Sequence, residues 1–224
     1  MARAVSAALD RLDEDPGLAV GVLTGAGGHF CAGMDLKAFL KEGFPFIGHR
    51  GLAGVTRAEI GKPMIAAVEG AAVAGGCEIA LACDLIVAGE SAKFGLSEVA
   101  RGLVASEGGV IRLPQRVPYH IAMQMLLTGD PLDAPSAARF GLVNHVVADG
   151  MALPAALALA ERVSRNAPLA IAAVRRIVRE ARGATDRDAF VIQDAIVAPV
   201  AESQDAREGA RAFAEKRPPS WKGR

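Results

Sequence analysis

The stretch of sequence that decides the fold class runs from residue 70 to residue 90 and reads GAAVAGGCEIALACDLIVAGE. The apolar segment PMIAAVEG (63–70) leads into it as a buried strand, and DLIVAGE (84–90) ends it as another. Between the strands, a small-residue turn opens a helix that we expect from about Gly76 to Cys83. Strand, glycine turn, helix and strand form the repeating unit of α/β proteins. The stretch therefore predicts an α/β fold with a mainly parallel sheet.

Upstream of this stretch the same alternation continues. Apolar residues at helical spacing predict an N-terminal helix that ends at DEDPG (13–17). LAVGVLTG (18–25) is typical of a short buried strand, and MDLKAFLKEG (34–43) of a short helix. Residues 43–61 have no firm period, and we expect a loop and a helix there.

Downstream of residue 118 the chain becomes mostly helical, with LVNHVV (142–147) as the expected strand. The predicted helices are YHIAMQMLLTG (119–129), APSAARFG (134–141), ALPAALALAERVSRNAP (152–168), LAIAAVRRIVREAR (169–182) and DAREGARAFAEKR (205–217). We therefore expect a sheet-containing core over residues 1–148 and a helical region over residues 149–224.

Composition excludes several classes of protein. The chain has 224 residues, 51% of them hydrophobic, which is enough for a sizeable core. Lys+Arg and Asp+Glu both number 25, and aromatic residues make up 4%, so neither a basic surface nor a stacking platform for nucleic acid is indicated. The three cysteines show no CxxC spacing, and no apolar run suits a signal peptide or a membrane span. These features predict a cytoplasmic protein that binds neither nucleic acid nor membrane.

Common catalytic motifs are missing from the sequence. Gly25 and Gly27 begin a GxG, but Phe30 stands where GxGxxG requires its third glycine. Neither GxxxxGK[ST], nor GxSxG, nor HExxH occurs, and the four histidines lack metal-ligand spacing. A dinucleotide site, an ATPase, a serine hydrolase and a metal site are therefore not expected.

Two turns and two acids remain as candidates for chemistry. The amides of Met34 and Gly75 each follow a small-residue turn near a helix start, where N–H groups have no intrahelical acceptor. If these amides converged, they would bind a developing oxyanion; on spacing alone, ordinary tight turns are the favoured interpretation. Glu78 and Glu98 are either surface residues of amphipathic elements or a buried acid/base pair.

Four segments together resemble the enoyl-CoA hydratase/isomerase family, which has the crotonase fold. They are HFCAGMDLK (29–37), AAVEGAAVAGGCEIALACDLIVAGESAKFGLSEV (66–99), GLVASEGGVIRLPQRV (102–117) and LTGDPLDAPSAARFGLVNHVV (127–147). The resemblance runs from about Asp10 to the C-terminus. The tail EGARAFAEKRPPSWKGR (208–224) is similar to the branch that includes carnitinyl-CoA dehydratase. The resemblance implies a spiral of ββα turns followed by a C-terminal helical region that trimerises.

The resemblance also implies roles for particular residues. The amides of Met34 and Gly75 would form the oxyanion hole for a thioester carbonyl, and Glu78 and Glu98 would be the catalytic acids. The residues expected to contact the substrate or its coenzyme A are Ala32, Asp35, Lys37, Phe213 and Lys216. For Lys37 the alternative is an exposed lysine on a short helix. For Phe213 and Lys216 the alternative is packing and solvation of a terminal helix.

Retention of both acids favours hydration over isomerisation. Family members that hydrate need two glutamates, whereas isomerases commonly keep one. The resemblance therefore implies an enoyl-CoA hydratase, a lyase of lipid metabolism, that adds water across the 2,3 double bond of a 2-enoyl-CoA or catalyses the reverse dehydration. The alternatives are a double-bond isomerase and a non-catalytic acyl-CoA-binding subunit. We expect no bound cofactor, since coenzyme A is part of the substrate, and a homotrimer or hexamer.

Two departures from the family pattern stand out. Relatives usually begin with two further strands before the point at which Met1 stands here, so we expect either a misassigned start or a compensating feature. Where many relatives have IPGAGG, this chain has VASEGG (104–109). Glu107 is either a third carboxylate at the pocket or a residue that points to solvent, and the solvent position is favoured. Residues 40–62, which would line the acyl pocket, show no decisive pattern.

Overall fold

The computed structural model describes residues 1–224, with the exception of the side chain of residue 42. The chain forms two compact units, which are described separately below. The first comprises residues 1–60 and 64–160, and the second comprises residues 61–63 and 161–224. Along the chain, the boundary between the units falls after residue 160, within a helix, and the predicted domain division at residue 148 stays a prediction.

The first unit alternates strands and helices along the chain. Short 3₁₀ helices lie at Gly48–Arg50, Glu98–Arg101 and Leu113–Gln115. The other elements are α1 (Ala2–Glu14), β1 (Gly21–Thr24), α2 (Leu36–Glu42), β2 (Met64–Val68), β3 (Ala71–Val73), α3 (Gly75–Ala82), β4 (Leu85–Gly89), β5 (Lys93–Gly95), α4 (Gly109–Arg112), α5 (Tyr119–Thr128), β6 (Leu132–Asp133), α6 (Ala134–Arg139), β7 (His145–Val147) and α7 (Ala152–Ser164).

The strands form two sheets. The larger sheet has the order β1-β2-β4-β7, and all of its strand pairs are parallel. The smaller sheet has the order β3-β5-β6, with a parallel pair of β3 and β5 and an antiparallel pair of β5 and β6. The prediction of a mainly parallel α/β fold is confirmed.

Strand β2 is buried along its whole length because both faces of the larger sheet are covered. Ile65 and Ala67 pack on one side in a small cluster with Ala152 and Ala156 of α7. On the other side, Ala66 and Val68 face the main core of the unit. A strand covered on both faces has apolar residues at every position, which explains the continuous run MIAAV.

The second unit is helical and contains α8 (Pro168–Glu180), α9 (Asp186–Ala201) and α10 (Gln204–Glu215). The Thr185 side chain caps α9 and the Ser203 side chain caps α10, each by accepting a hydrogen bond from a backbone amide of the first turn. The sequence prediction omitted α9. Its apolar residues are interrupted by Asp194 and by Pro199, so they form no clean stripe.

Two other sequence predictions were wrong in detail. Residues 43–61 contain no α-helix but only the 3₁₀ helix and a bridge between Phe46 and Leu52. Residues 71–73, AAV, form strand β3 and not part of the small-residue turn that the sequence predicts. Three residues are too few to show a period, and their strand conformation comes from pairing with β5. The remaining predicted helices and strands are confirmed within a few residues.

The core position of β2 predicts how truncation affects stability. Ile65 is 0% exposed, so Ile65→Ala should lower the free energy of unfolding by about 2–5 kcal/mol through lost burial and a residual cavity. Ile65→Val should cost only about 0.5–1.5 kcal/mol. Urea unfolding measures both. Leu127→Ala removes a 69% exposed side chain of α5 and serves as the control. Equal losses at the two sites would contradict the buried position of Ile65.

Candidate active site

Two chain segments that are far apart in sequence lie side by side at the edge of the smaller sheet. The Cys31 amide donates to the Ala71 carbonyl at 2.9 Å, and the Val73 amide donates to the Cys31 carbonyl at 3.0 Å. Cys31 therefore pairs in parallel with β3. A side chain at Gly76 would overlap the Cys31 carbonyl oxygen. Glycine at this position thus allows the start of α3 to approach the 31–34 segment.

The turn between β3 and α3 has an uncommon backbone conformation. Ala74 has a φ of 50° and a ψ of −129°, a region that residues other than glycine rarely adopt. Its amide donates to the Gly95 carbonyl at 2.8 Å, which fixes the turn to β5. Gly75 is the first residue of α3, so its N–H has no intrahelical acceptor.

The predicted oxyanion-hole residues lie next to each other. Gly33 has a φ of +91°, and a Cβ there would stand 3.2 Å from the Gly75 nitrogen and 3.0 Å from the Ala74 Cβ. Within the described part of the chain, the amides of Met34 and Gly75 have no hydrogen-bond acceptor. Met34 and Gly75 both line one cavity of about 330 Å³. The two turns therefore meet at this cavity, and the role of their amides as an oxyanion hole stays a prediction.

The cavity combines a polar end with an apolar wall. Its acidic groups are Glu78, Glu98 and Glu107, and Ser97, Ser106 and Arg101 are also at its surface. The apolar lining residues include Leu36, Phe44, Phe46, Leu52, Leu103 and Val104. This is the composition of a ligand site in which a few polar groups orient a mostly apolar ligand.

Glu78 lies in the first turn of α3 and is 3% exposed. Its Oε1 accepts hydrogen bonds from the Glu107 amide at 2.7 Å and from the Gly109 amide at 2.9 Å. Burial raises the pKa of Glu78 from 4.5 to about 7, although these two hydrogen bonds lower it in part. The negative charges of Glu98 and Glu107 add to the increase. Glu78 therefore exchanges a proton near neutral pH.

Glu98 begins the 3₁₀ helix at residues 98–101. Its Oε2 is buried and has no hydrogen-bond partner among the described residues. Burial raises the pKa of this carboxyl, against the opposing effects of its own backbone amide and the Arg101 charge. A buried oxygen without a partner costs free energy unless a ligand or water meets it. Glu98 is thus a half-buried residue with one buried carboxylate oxygen, and its role in an acid/base pair stays a prediction.

Glu107 does not point to solvent, so the favoured expectation was wrong. It is 3% exposed and lines the cavity. Its Oε2 accepts hydrogen bonds from the Leu52 amide at 2.9 Å and from the Thr56 hydroxyl at 2.6 Å. Its Oε1 pairs with the Arg57 guanidinium at 2.5 Å. These partners come from residues 51–57, which show no period, so no sequence pattern indicates what holds the carboxylate.

The apolar wall comes from the segment that was uninformative in the sequence. The rings of Phe44 and Phe46 stack with centroids 4.9 Å apart, and Phe39 packs on Phe44 at 4.8 Å. Leu52 packs so close to Gly75 that a Cβ there would overlap the Leu52 side chain. Phe44, Phe46 and Leu52 meet through contacts within a loop, so they follow neither a helical nor a strand period.

The other predicted substrate residues are placed as follows. Ala32 lines the cavity. Asp35 caps α2 by accepting hydrogen bonds from the amides of residues 37 and 38, and Lys37 is exposed outside the cavity lining. Phe213, which is 88% exposed on α10, and Lys216, which ends α10 with a φ of 52°, belong to the second unit. The roles of these residues in coenzyme A binding stay predictions.

Among the described residues, neither a metal-binding cluster nor a membrane-spanning helix occurs. No group of three or more His, Cys, Asp or Glu side chains is arranged to hold a metal ion among these residues. Across the same residues, every helix is too short or too polar to cross a membrane.

Comparison with known proteins defines the class to which this fold and cavity belong. The family model described as enoyl-CoA hydratase/isomerase matches residues 1–224, so the chain belongs to this family. It is 46% identical over 231 residues to enoyl-CoA hydratase EchA19 of Mycobacterium tuberculosis, covering 100% of this chain and 87% of that protein. It is 42% identical over 222 residues to carnitinyl-CoA dehydratase of Proteus mirabilis, covering 96% of this chain and 85% of that protein.

Solved structures agree with this assignment. The crystal structure of enoyl-CoA hydratase EchA1 from Mycobacterium marinum has a TM-score of 0.96 to this chain at 56% identity, covering 100% of this chain and 88% of that one. The crystal structure of an enoyl-CoA hydratase from Bacillus anthracis has a TM-score of 0.90 at 30% identity, with the same coverage. The predicted crotonase-family fold, including the branch related to carnitinyl-CoA dehydratase, is confirmed.

The raised pKa of Glu78 predicts a pH dependence of stability. Between its ordinary value of 4.5 and about 7, the folded protein holds a proton that the unfolded chain has released. The stabilisation from this proton is complete below the ordinary value and is lost as pH rises through about 7, for a total of about 3 kcal/mol. The free energy of unfolding of wild type should therefore fall by that amount relative to Glu78→Gln, which stays neutral.

Urea unfolding of both proteins at several pH values between about 4.5 and 8 measures this difference. A constant difference across the range would contradict the raised pKa. Glu90→Gln, at an exposed position outside the cavity, is the control and should run parallel to wild type.

Proposed function

We propose that the chain is an enoyl-CoA hydratase, which adds water across the 2,3 double bond of a 2-enoyl-CoA thioester or removes it in the reverse direction. The observation that carries the proposal is that Glu78 and Glu98 line the same cavity as Met34 and Gly75, whose amides have no acceptor among the described residues. The printed names of the relatives support it, since they include both enoyl-CoA hydratase and carnitinyl-CoA dehydratase. The enzyme is accordingly a hydro-lyase.

The oxyanion hole makes the addition of water feasible. Water adds at Cβ of an enoyl thioester only if the negative charge that develops on the thioester oxygen is stabilised. The amides of Met34 and Gly75 donate to this oxygen, and the N-terminus of α3 adds the positive end of its dipole. Because the amides are fixed by backbone pairing and by the turn at Ala74, they need little reorganisation during the reaction.

Glu78 acts as the general base of hydration. Its Oε1 is held by two backbone amides, and its Oε2 orients a water and takes a proton from it. With a pKa of about 7, a large part of Glu78 is ionised at neutral pH and is still basic enough to accept the proton. Burial in the cavity thus matches this carboxylate to the reaction.

Glu98 acts as the general acid. Its raised pKa favours the neutral form, which delivers a proton to Cα as the enolate collapses. The buried Oε2 without a protein partner is the atom that meets the substrate or the reacting water. In the dehydration direction the two acids exchange roles by microscopic reversibility: ionised Glu98 removes the Cα proton, and protonated Glu78 delivers a proton to the leaving hydroxyl.

The remaining cavity residues bind the acyl group and its carrier. Phe44, Phe46 and Leu52 supply an apolar wall for the acyl chain beside the oxyanion hole. Coenzyme A enters as part of the substrate, so the reaction uses no resident cofactor. We assign its binding to Ala32, Asp35 and Lys37, and to Phe213 and Lys216 of a neighbouring subunit in a homotrimer or hexamer.

Glutamine variants of the two acids test the proposal. Hydration of crotonyl-CoA is measured as the loss of the absorbance of the conjugated enoyl thioester. Glu78→Gln and Glu98→Gln should each lower kcat by about 10²–10⁴-fold, because each removes a positioned proton-transfer group. Glu90→Gln is the control and should keep the wild-type rate.

The outcomes separate the alternatives. An isomerase would lose activity with Glu98→Gln only, on a 3-enoyl-CoA substrate. An acyl-CoA-binding subunit would bind the thioester in wild type without turnover. Either result would contradict the proposed hydration.

The oxyanion hole is tested separately by Gly33→Ala. The new Cβ would stand 3.2 Å from the Gly75 nitrogen and crowd the space of the thioester oxygen. We expect kcat to fall by about 10²–10³-fold, the usual cost of losing one oxyanion donor. Gly27→Ala is the matched control, because Gly27 has a similar φ of +75° but open space around it. Equal activity of the two variants would contradict the assignment of the hole.

A further inference from the structure

Glu107 is a buried carboxylate that the mechanism above does not use. We propose that Glu107 is a positioning residue for hydration: its side chain fixes the loop of residues 51–57 beside the oxyanion hole while its backbone amide orients Glu78. This inference rests on the proposed hydratase function and identifies a further determinant of the same site.

The side chain of Glu107 holds the loop at three points. Its Oε2 accepts hydrogen bonds from the Leu52 amide at 2.9 Å and from the Thr56 hydroxyl at 2.6 Å. Its Oε1 pairs with Arg57 Nη2 at 2.5 Å. Gly51 has a φ of +71°, and any side chain there would overlap the carboxylate. The loop conformation is thus built around this one group.

The same residue reaches Glu78 from its backbone. The Glu107 amide donates to Glu78 Oε1 at 2.7 Å. Arg112 strengthens the connection, because its guanidinium donates to the Glu107 carbonyl at 3.1 Å and to the Thr56 carbonyl at 2.6 Å. Since Leu52 packs against Gly75, a displacement of Glu107 would move the general base and the wall of the oxyanion hole together.

The carboxylate of Glu107 remains ionised and takes no part in proton transfer. Burial raises its pKa, but the hydrogen bonds from Thr56, the Leu52 amide and Arg57 outweigh burial and hold the pKa below its usual range. Both oxygens already accept strong hydrogen bonds. Its role is therefore to hold neighbouring groups in place and to supply a fixed negative charge.

The fixed charge of Glu107 affects the pKa of Glu78 and so the pH profile of the reaction. A purely structural role of Glu107 would leave that pH profile unchanged. Glu78 faces the carboxylates of Glu98 and Glu107, and both raise its pKa. The thiol of Cys77 stays neutral, since burial raises its pKa to about 12. Arg57 and Arg112 are the cations that contact Glu107. Removing the Glu107 charge should therefore lower the pKa of the base, which sets the acid limb of kcat/KM.

The experiment compares Glu107→Gln with Thr56→Val in the full-length protein. Glu107→Gln should lower kcat for crotonyl-CoA hydration by about tenfold and move the acid limb of kcat/KM to lower pH. Thr56→Val removes one donor but keeps the charge, so it should lower kcat/KM without moving the acid limb. Glu59→Gln neutralises an exposed acid just beyond the loop. It should resemble wild type both in kcat and in the pH of the acid limb.

A third variant keeps the test independent of whether Glu107→Gln folds. Arg57 is 56% exposed, and Arg57→Gln removes the counter-charge while Glu107 stays ionised. The acid limb should then move to higher pH, opposite to the shift with Glu107→Gln.

The outcomes distinguish this inference from the function on which it rests. If wild type hydrates crotonyl-CoA but Glu107→Gln keeps its rate and its pH profile, the inference is overturned and the hydratase function stands. If activity falls while the acid limb stays in place in both charge variants, Glu107 is only a stabilising residue, and the inference is also overturned. If wild type itself does not hydrate enoyl-CoA thioesters, the proposed function fails and this inference fails with it.

Discussion

The site depends on the backbone pairing between Cys31 and strand β3. This pairing brings the 31–34 segment against the start of α3, where Gly76 leaves space for the Cys31 carbonyl. The amides of Met34 and Gly75, which have no acceptor among the described residues, come together as a consequence. A side chain at Gly76 would overlap the Cys31 carbonyl and separate the turns, so the meeting of these two amides is a product of chain path and glycine placement.

Three carboxylates line one cavity and differ in how they are hydrogen-bonded. Glu107 receives donors on both oxygens and stays ionised. Glu78 receives two backbone donors on one oxygen only, and burial raises its pKa to about 7. Glu98 has a buried oxygen with no partner in the described part of the chain, and burial raises its pKa as well. The number of donors thus separates a fixed anion from two groups able to transfer protons, within one low-dielectric site.

Much of this arrangement was predictable from the sequence. The buried strands, the helices at the glycine turns and the placement of Glu78 follow from apolar runs and small-residue turns. The convergence of the two turns was not predictable from spacing, since it requires pairing between residues 31 and 72, and only the family resemblance implied it. The environment of Glu107 and the aromatic wall at Phe44 and Phe46 were missed because loop residues that meet through tertiary contacts leave no period in the sequence.

Isotopic labelling is the most direct test of whether this cavity adds water to an enoyl thioester. The protein is incubated with a 2-enoyl-CoA in water enriched in oxygen-18, and the product is analysed by mass spectrometry. We expect a 3-hydroxyacyl-CoA whose mass exceeds that of the substrate by one molecule of labelled water, with the label at C3. A product of unchanged mass, whether isomerised or simply recovered, would contradict it.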